Sequence, residues 1–169
     1  MIHLYHGNGK GKTTAACGLA VRAAGSGMKV LFVQFFKSGN SSEIKVLSSV
    51  PSIKILLPGI YYGRYKNMTE SQKEETAIRY RSFMDEVISE SSCYDLIVLD
   101  ESVSVYGYGL VDKDAFIDFL KQNKDKKEIV LTGREPADEL KEIADYITEM
   151  RKEKHPFDKG VKARKGIEY

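Results

Sequence analysis

The sequence predicts an α/β fold: a doubly wound, mainly parallel β-sheet flanked by helices. Three observations point to it. Short runs of Val, Ile, Leu and Phe recur without polar alternation, as in strands covered on both faces. Stretches with helical spacing of apolar residues lie between those runs. The first run also leads directly into a glycine-rich loop and a small-residue helix, an order that places a ligand at the carboxyl ends of the strands.

The elements can be justified in turn. Residues 2–5 form the first strand, and residues 15–24, rich in alanine, form the helix after the glycine loop. Residues 29–35 and 53–57 are the next strands, separated by a loop of functional size over 37–43. A second loop, 58–67, carries Tyr61, Tyr62 and Tyr65. Thr69 and Gln72 have capping-box spacing for a helix over about 71–89, where Ala77, Tyr80, Met84 and Val87 share a stripe beside Phe83 and Ile88. The run at 96–100 ends in Asp100. Asp112 is a good N-cap for a helix bearing Phe116, Ile117, Phe119 and Leu120. A strand follows at 128–132, then a helix from near Pro136 to about Ala144 and a weaker strand at 146–150. The tail beyond Met150 is basic and has no clear period; His155-Pro-Phe-Asp158 with Lys159, Lys162, Arg164 and Lys165 either folds back towards phosphate or stays solvated, the commoner case for a charge-rich tail.

The 169 residues are read as a single domain, 1–169, large enough for a substantial core. Hydrophobic content of 42% and charged content of 30% suit a soluble globular protein. A net charge of +2 does not argue for nucleic acid or an anionic membrane. No apolar run approaches the ~20 residues of a membrane span, and no signal-like region is evident. Cys17 and Cys93 lack metal or redox spacing, so a reduced, cytoplasmic setting is expected.

The chemistry is concentrated in the segment from His6 to Thr14. Gly7, Gly9 and Gly11 free the backbone to curl around an anion, with the amides of residues 7–14 turned inward. Asn8, Lys10 and Thr14 complete this cradle, Lys12 supplies a cation and Thr13 a hydroxyl for Mg²⁺. The following helix adds its dipole. The general P-loop pattern asks for glycine where this chain has His6, so the loop is a glycine-rich variant of a P-loop NTPase-like (RecA-like) fold.

Asp100 and Glu101, delivered by an apolar strand to the same edge, are the candidate metal-associated acids with Thr13. Arg134 follows another strand end and can fork onto phosphate oxygens. Arg22 sits late in the first helix, where it offsets the dipole and is a further candidate nucleotide contact. Tyr61, Tyr62 and Tyr65 form either an aromatic wall for a flat ligand or a packed cover for the core. The residues alone reach an ATP- or GTP-binding P-loop enzyme with an unnamed acceptor. A kinase or NTPase acting at the γ-phosphate and a non-catalytic carrier or sensor both remain open.

Several segments together resemble the ATP:corrinoid adenosyltransferases. They are GNGKGKTTAA at 7–16, LAVRAAGSGMKVLFVQFFK at 19–37, VLDE at 98–101, LTGR at 131–134, and ADYITEMRKEKHPFDKGVKARKGIEY at 144–169. The departure at His6 is shared with that family. The resemblance implies transfer of the 5′-deoxyadenosyl group of ATP to the Co(I) of a reduced corrinoid, with release of triphosphate. It implies catalytic roles for Lys12, Thr13 and Arg134, and Mg²⁺ or Mn²⁺ held by Thr13, Asp100 and Glu101. It also implies a homodimer and a reduced flavoprotein as electron donor. Where relatives tend to have Phe-Thr-Trp, this chain has Arg64, Tyr65 and Lys66, so Tyr61, Tyr62 and Tyr65 are the expected corrinoid contacts.

Overall fold

A computed structural model describes residues 1–168. The chain runs β1 (Ile2–His6), α1 (Lys12–Gly25), β2 (Val30–Gln34), α2 (Ser42–Leu47), β3 (Ile53–Leu56), α3 (Glu70–Glu90) and β4 (Leu96–Asp100). It continues through α4 (Ser102–Gly107), α5 (Lys113–Asn123), β5 (Glu128–Thr132), α6 (Asp138–Ile143) and β6 (Tyr146–Glu149). Short 3₁₀ turns lie at Tyr65–Asn67, Ser91–Cys93 and Pro156–Lys159.

The six strands form one sheet in the order β3-β2-β4-β5-β1-β6, every pair parallel. All five residues of β2 and of β4 are buried, which is why neither run alternates with polar residues. The pleat divides them between two cores. Leu31, Val33, Ile97 and Leu99 meet Phe83 of α3 and Leu120 of α5 on one face. Val30, Phe32, Val98 and Val130 meet Ala16 and Ala20 of α1 on the other. Each fully buried aliphatic or aromatic side chain contributes about 1.5–3 kcal/mol. The small alanines let α1 lie close to the sheet, which brings its first turn over the strand ends.

Most of the predicted elements are present, with three informative differences. Helix α1 starts at Lys12, not Ala15, because Gly11 adopts φ 115° and turns the loop directly into the first helical turn. Helix α2 begins inside the segment read as a loop. Helix α4 is absent from the sequence reading because Ser102-Val103-Ser104-Val105 alternates like a strand. It is buried nearly all round through Ser102, Val103, Val105 and Tyr106, so it shows no amphipathic period.

The predicted caps hold. The Thr69 side chain accepts from Gln72 N–H, and Gln72 reaches back to Thr69 N–H at 3.0 Å. Asp112 accepts from Ala115 N–H at 2.9 Å. Removing the first cap leaves helix donors without a partner. Thr69→Ala should therefore lower stability by about 1 kcal/mol. In urea unfolding this reads as a lower midpoint with an unchanged slope.

Candidate functional site

The glycine loop joins β1 to α1 and is fixed by its neighbours on both sides. Gly7 N–H donates to the Arg134 carbonyl at 2.9 Å and Gly9 N–H to the Met150 carbonyl at 2.6 Å. Met150 N–H returns a bond to the His6 carbonyl at 2.7 Å. A Cβ on Gly9 would stand 2.5 Å from the Met150 carbonyl oxygen, so only glycine permits this approach of loop and strand end. The Lys12 ammonium turns back onto the Gly7 and Gly9 carbonyls, at 2.8 Å each. Burial lowers its pKa; the Glu101 charge opposes that shift, and the Arg134 charge adds to it.

At the end of β4, Asp100 is fully buried. Its carboxylate accepts from Thr132 Oγ1 at 2.7 Å, Thr13 Oγ1 at 2.9 Å and Gln34 Nε2 at 3.3 Å. Burial raises its pKa, opposed by the Thr132 bond and the Lys37 charge. Glu101 sits at φ 63°, a left-handed conformation unusual for a non-glycine residue, with its N–H on Thr132 Oγ1 at 2.9 Å. Burial, and then the Asp100 charge, raise its pKa. Its carboxylate accepts from Ser104 Oγ at 3.2 Å.

These oxygens fit a hard divalent cation. Thr13 and Asp100 already touch, and the buried Gln34 Oε1 beside them has no hydrogen-bond partner among the described residues. The described residues contain no cluster of three or more His, Cys, Asp or Glu able to hold a metal by themselves.

The loop and Glu101 share a cavity of about 540 Å³, lined by residues 8–14 with Cys17, Lys37, Glu43, Glu101 and Arg134. Arg134 is exposed there, while its neighbour Asp138 pairs with Lys141 at 2.9 Å. The tail folds back over the opening: His155, Gly166, Ile167 and Glu168 line it. Glu168 meets Lys10 at 3.2 Å and Arg164 at 3.0 Å, and hydrogen bonds from Arg164 hold its carboxyl down to about 2. A second cavity, of about 600 Å³, opens among Met1, Asp95 and Glu128 and shares no residue with the loop.

Of the other predicted residues, Arg22 lies exposed in the last turn of α1 and does not line this cavity. Tyr61, Tyr62 and Tyr65 stand outside it as well. Tyr62 donates to Glu75 at 2.6 Å, and Tyr61 is exposed. Tyr65 stacks on Tyr108 with centroids 4.3 Å apart, and Phe36 packs edge-on against both. Sequence reading missed Gln34, Lys37, Glu43, Tyr108 and Thr132. Gln34 and Thr132 carried a signal, since each ends a strand at the ligand edge, and Lys37 and Glu43 bound a loop read as one of functional size; Tyr108 carried none.

Cys17 gives the cavity a chemical marker. Burial, then the Asp100 and Glu43 charges, push its thiol up to about 12, so it stays protonated at pH 8 and reacts slowly. Cys93 is exposed. Iodoacetamide at pH 8 should label Cys93 first, and Cys93→Ser should take up little label by mass spectrometry. Rapid labelling of Cys17 would contradict this environment.

Comparison with known proteins gives one consistent result. A sequence model of the family described as ATP:corrinoid adenosyltransferase BtuR/CobO/CobP matches residues 1–169. The corrinoid adenosyltransferase of Escherichia coli K12 is 32% identical over 173 residues, covering 100% of this chain and 85% of that protein. The corrinoid adenosyltransferase CobA of Salmonella typhimurium LT2 is 31% identical, with 100% and 85% covered. Among solved structures, the flagellar accessory protein FlaH of Methanocaldococcus jannaschii superposes with a TM-score of 0.55 at 16% identity, covering 88% of this chain and 69% of that one, a likeness of fold. Matched by that family model over its whole length, the chain belongs to the ATP:corrinoid adenosyltransferases.

Proposed function

We propose that this chain transfers the 5′-deoxyadenosyl group of ATP to the cobalt of a reduced corrinoid, with the triphosphate held in the cavity between the glycine loop and Arg134. The observation carrying this reading is the convergence of Lys12, Thr13, Glu101 and Arg134 on one cavity, with the buried Asp100 bonded to Thr13 behind it. In the reaction the Co(I) electron pair attacks the ribose 5′-carbon. A Co–C bond forms, the C5′–O bond breaks, and its electron pair leaves on the triphosphate. No proton has to be removed from the nucleophile, so the demand on the protein is alignment and stabilisation of charge on the leaving group.

Lys12 is the residue best suited to that second task. It already hydrogen-bonds loop carbonyls, so it reaches a phosphate by exchanging those partners. Arg134 offers a fork to a second oxygen. Thr13, Asp100 and Glu101 would hold Mg²⁺, which supplies positive charge against the phosphates. The amides of residues 7–14 complete the cradle. We assign the corrinoid-facing surface to Tyr65, with Tyr61 and Tyr62 on the same loop; the Tyr65–Tyr108 stack offers a flat aromatic face. We further infer a homodimer in the cytoplasm that receives electrons from a reduced flavoprotein. No helix among the described residues is long and apolar enough to cross a membrane.

The test is product analysis with ATP, Mg²⁺ and chemically reduced cobalamin, kept anaerobic and dark. A light-sensitive adenosylcobalamin spectrum with stoichiometric triphosphate is the expected result. ADP and phosphate formed without corrinoid would overturn the reading. Lys12→Ala should lower kcat by about 10²–10³ at saturating ATP, as loss of a charge-stabilising donor does. Full activity in that variant would remove Lys12 from catalysis.

A further inference from the structure

The tail motif His155-Pro156-Phe157-Asp158 has no part in the roles assigned so far. In the fold it stands at the phosphate cavity, where His155 joins Asn8, Lys10, Lys12 and Arg134 in the lining. Two links bring it there. Strand β6 pairs with β1 up to His6 and Glu149, and Lys152 N–H then donates to Asn8 Oδ1 at 2.9 Å. The turn itself is held by Lys152 and Asp158, 3.0 Å apart.

The turn also fixes the chemistry of the ring. Phe157 N–H donates to His155 Nδ1 at 3.1 Å. A backbone amide only donates, so Nδ1 is the acceptor and the neutral imidazole carries its proton on Nε2. Nε2 has no hydrogen-bond or ion-pair partner among the described residues. A half-buried ring with one nitrogen spent on its own backbone thus brings a single donor to a cavity where Lys10, Lys12, Lys37 and Arg134 stand with the glycine loop, alongside the carboxylates of Glu43, Glu101 and Glu168.

We propose that His155 is an oligophosphate ligand: its Nε2–H donates to an oxygen of the nucleotide triphosphate, so the tail contributes a donor of its own to the cradle. This rests on the reading that the cavity holds the triphosphate.

Calorimetric binding of inorganic triphosphate to the wild type, His155→Asn and His155→Gln separates a ligand from a mere turn residue. The asparagine carbonyl occupies the place of Nδ1 and can keep the Phe157 bond, but nothing stands at Nε2. The glutamine amide reaches the Nε2 position and gives up the Phe157 bond. The expected result is a Kd raised about tenfold in His155→Asn and nearly unchanged in His155→Gln, the size of one hydrogen bond to a charged group. A Kd ratio of Asn to Gln variant of about three or more supports the proposal, and any smaller ratio overturns it.

A second measurement needs no variant. The chain has three histidines, so ¹⁵N-histidine NMR of the wild type resolves them. Triphosphate should move the His155 Nε2 resonance and leave Nδ1 in place; an unmoved Nε2 overturns the proposal. Triphosphate binding to the wild type without these His155 effects leaves the cavity reading intact. Absence of any triphosphate binding to an active wild type overturns both.

Discussion

A buried carboxylate sets the geometry of this site. Asp100 lies at the end of β4 with no exposure, and a charge in that position is tolerated only when its oxygens are taken. The donors come from three other elements: Thr13 from the first turn of α1, Thr132 from the end of β5, and Gln34 from the end of β2. Those bonds pull helix and strand ends into one register. Thr132 serves twice, since its hydroxyl also accepts the Glu101 amide and so supports the left-handed turn into α4. Because β5 separates β4 from β1 in the sheet, this bridge is what lets an acid on one strand meet the loop hydroxyl of another.

The loop depends on a second constraint, from the opposite edge. β6 is an edge strand with all four residues exposed and buries little apolar surface of its own. Its role is local: Met150 accepts the Gly9 amide and donates to His6, so the loop is clamped between β5 and β6. The contact is close enough that a side chain at Gly9 would strike backbone, which moves only with the strand. Lys12 is folded onto the loop's own carbonyls within this clamp, and the carboxylate of Glu168 is held by Lys10 and Arg164 above it. Lys10 and Lys12, two of the cations lining the cavity, are thus already engaged by protein oxygens, so on the proposed reading a triphosphate would bind by exchanging those partners.

Much of the site could be read from the chain because its members sit at fixed offsets from strand ends. Lys12 and Thr13 follow β1 through a short loop, Asp100 and Glu101 end β4, and Arg134 follows β5, so a parallel sheet carries all of them to one edge. Gln34 ends β2 but is an ordinary polar residue until the sheet sets it beside Asp100, and Glu43, on α2, joins the site only by meeting Gln34 at 3.4 Å. The three tyrosines show how neighbours in sequence part in the fold. Tyr61, Tyr62 and Tyr65 cluster in sequence, yet Tyr65 takes its ring partner from Tyr108 after α4, while Tyr62 turns to Glu75.

The sequence by itself determined the parallel sheet, the phosphate loop, both helix caps and the family. These follow from local pattern: apolar runs, glycine spacing and cap residues act over a few positions and are written in chain order. The tertiary structure alone decided which residues meet across the cavity. Helix α4 gave no period because it is buried nearly all round, and the tail returned over the loop through bonds spanning almost the whole chain, such as Lys152 to Asn8. Contacts of that kind depend on packing between distant segments, and no local pattern encodes them.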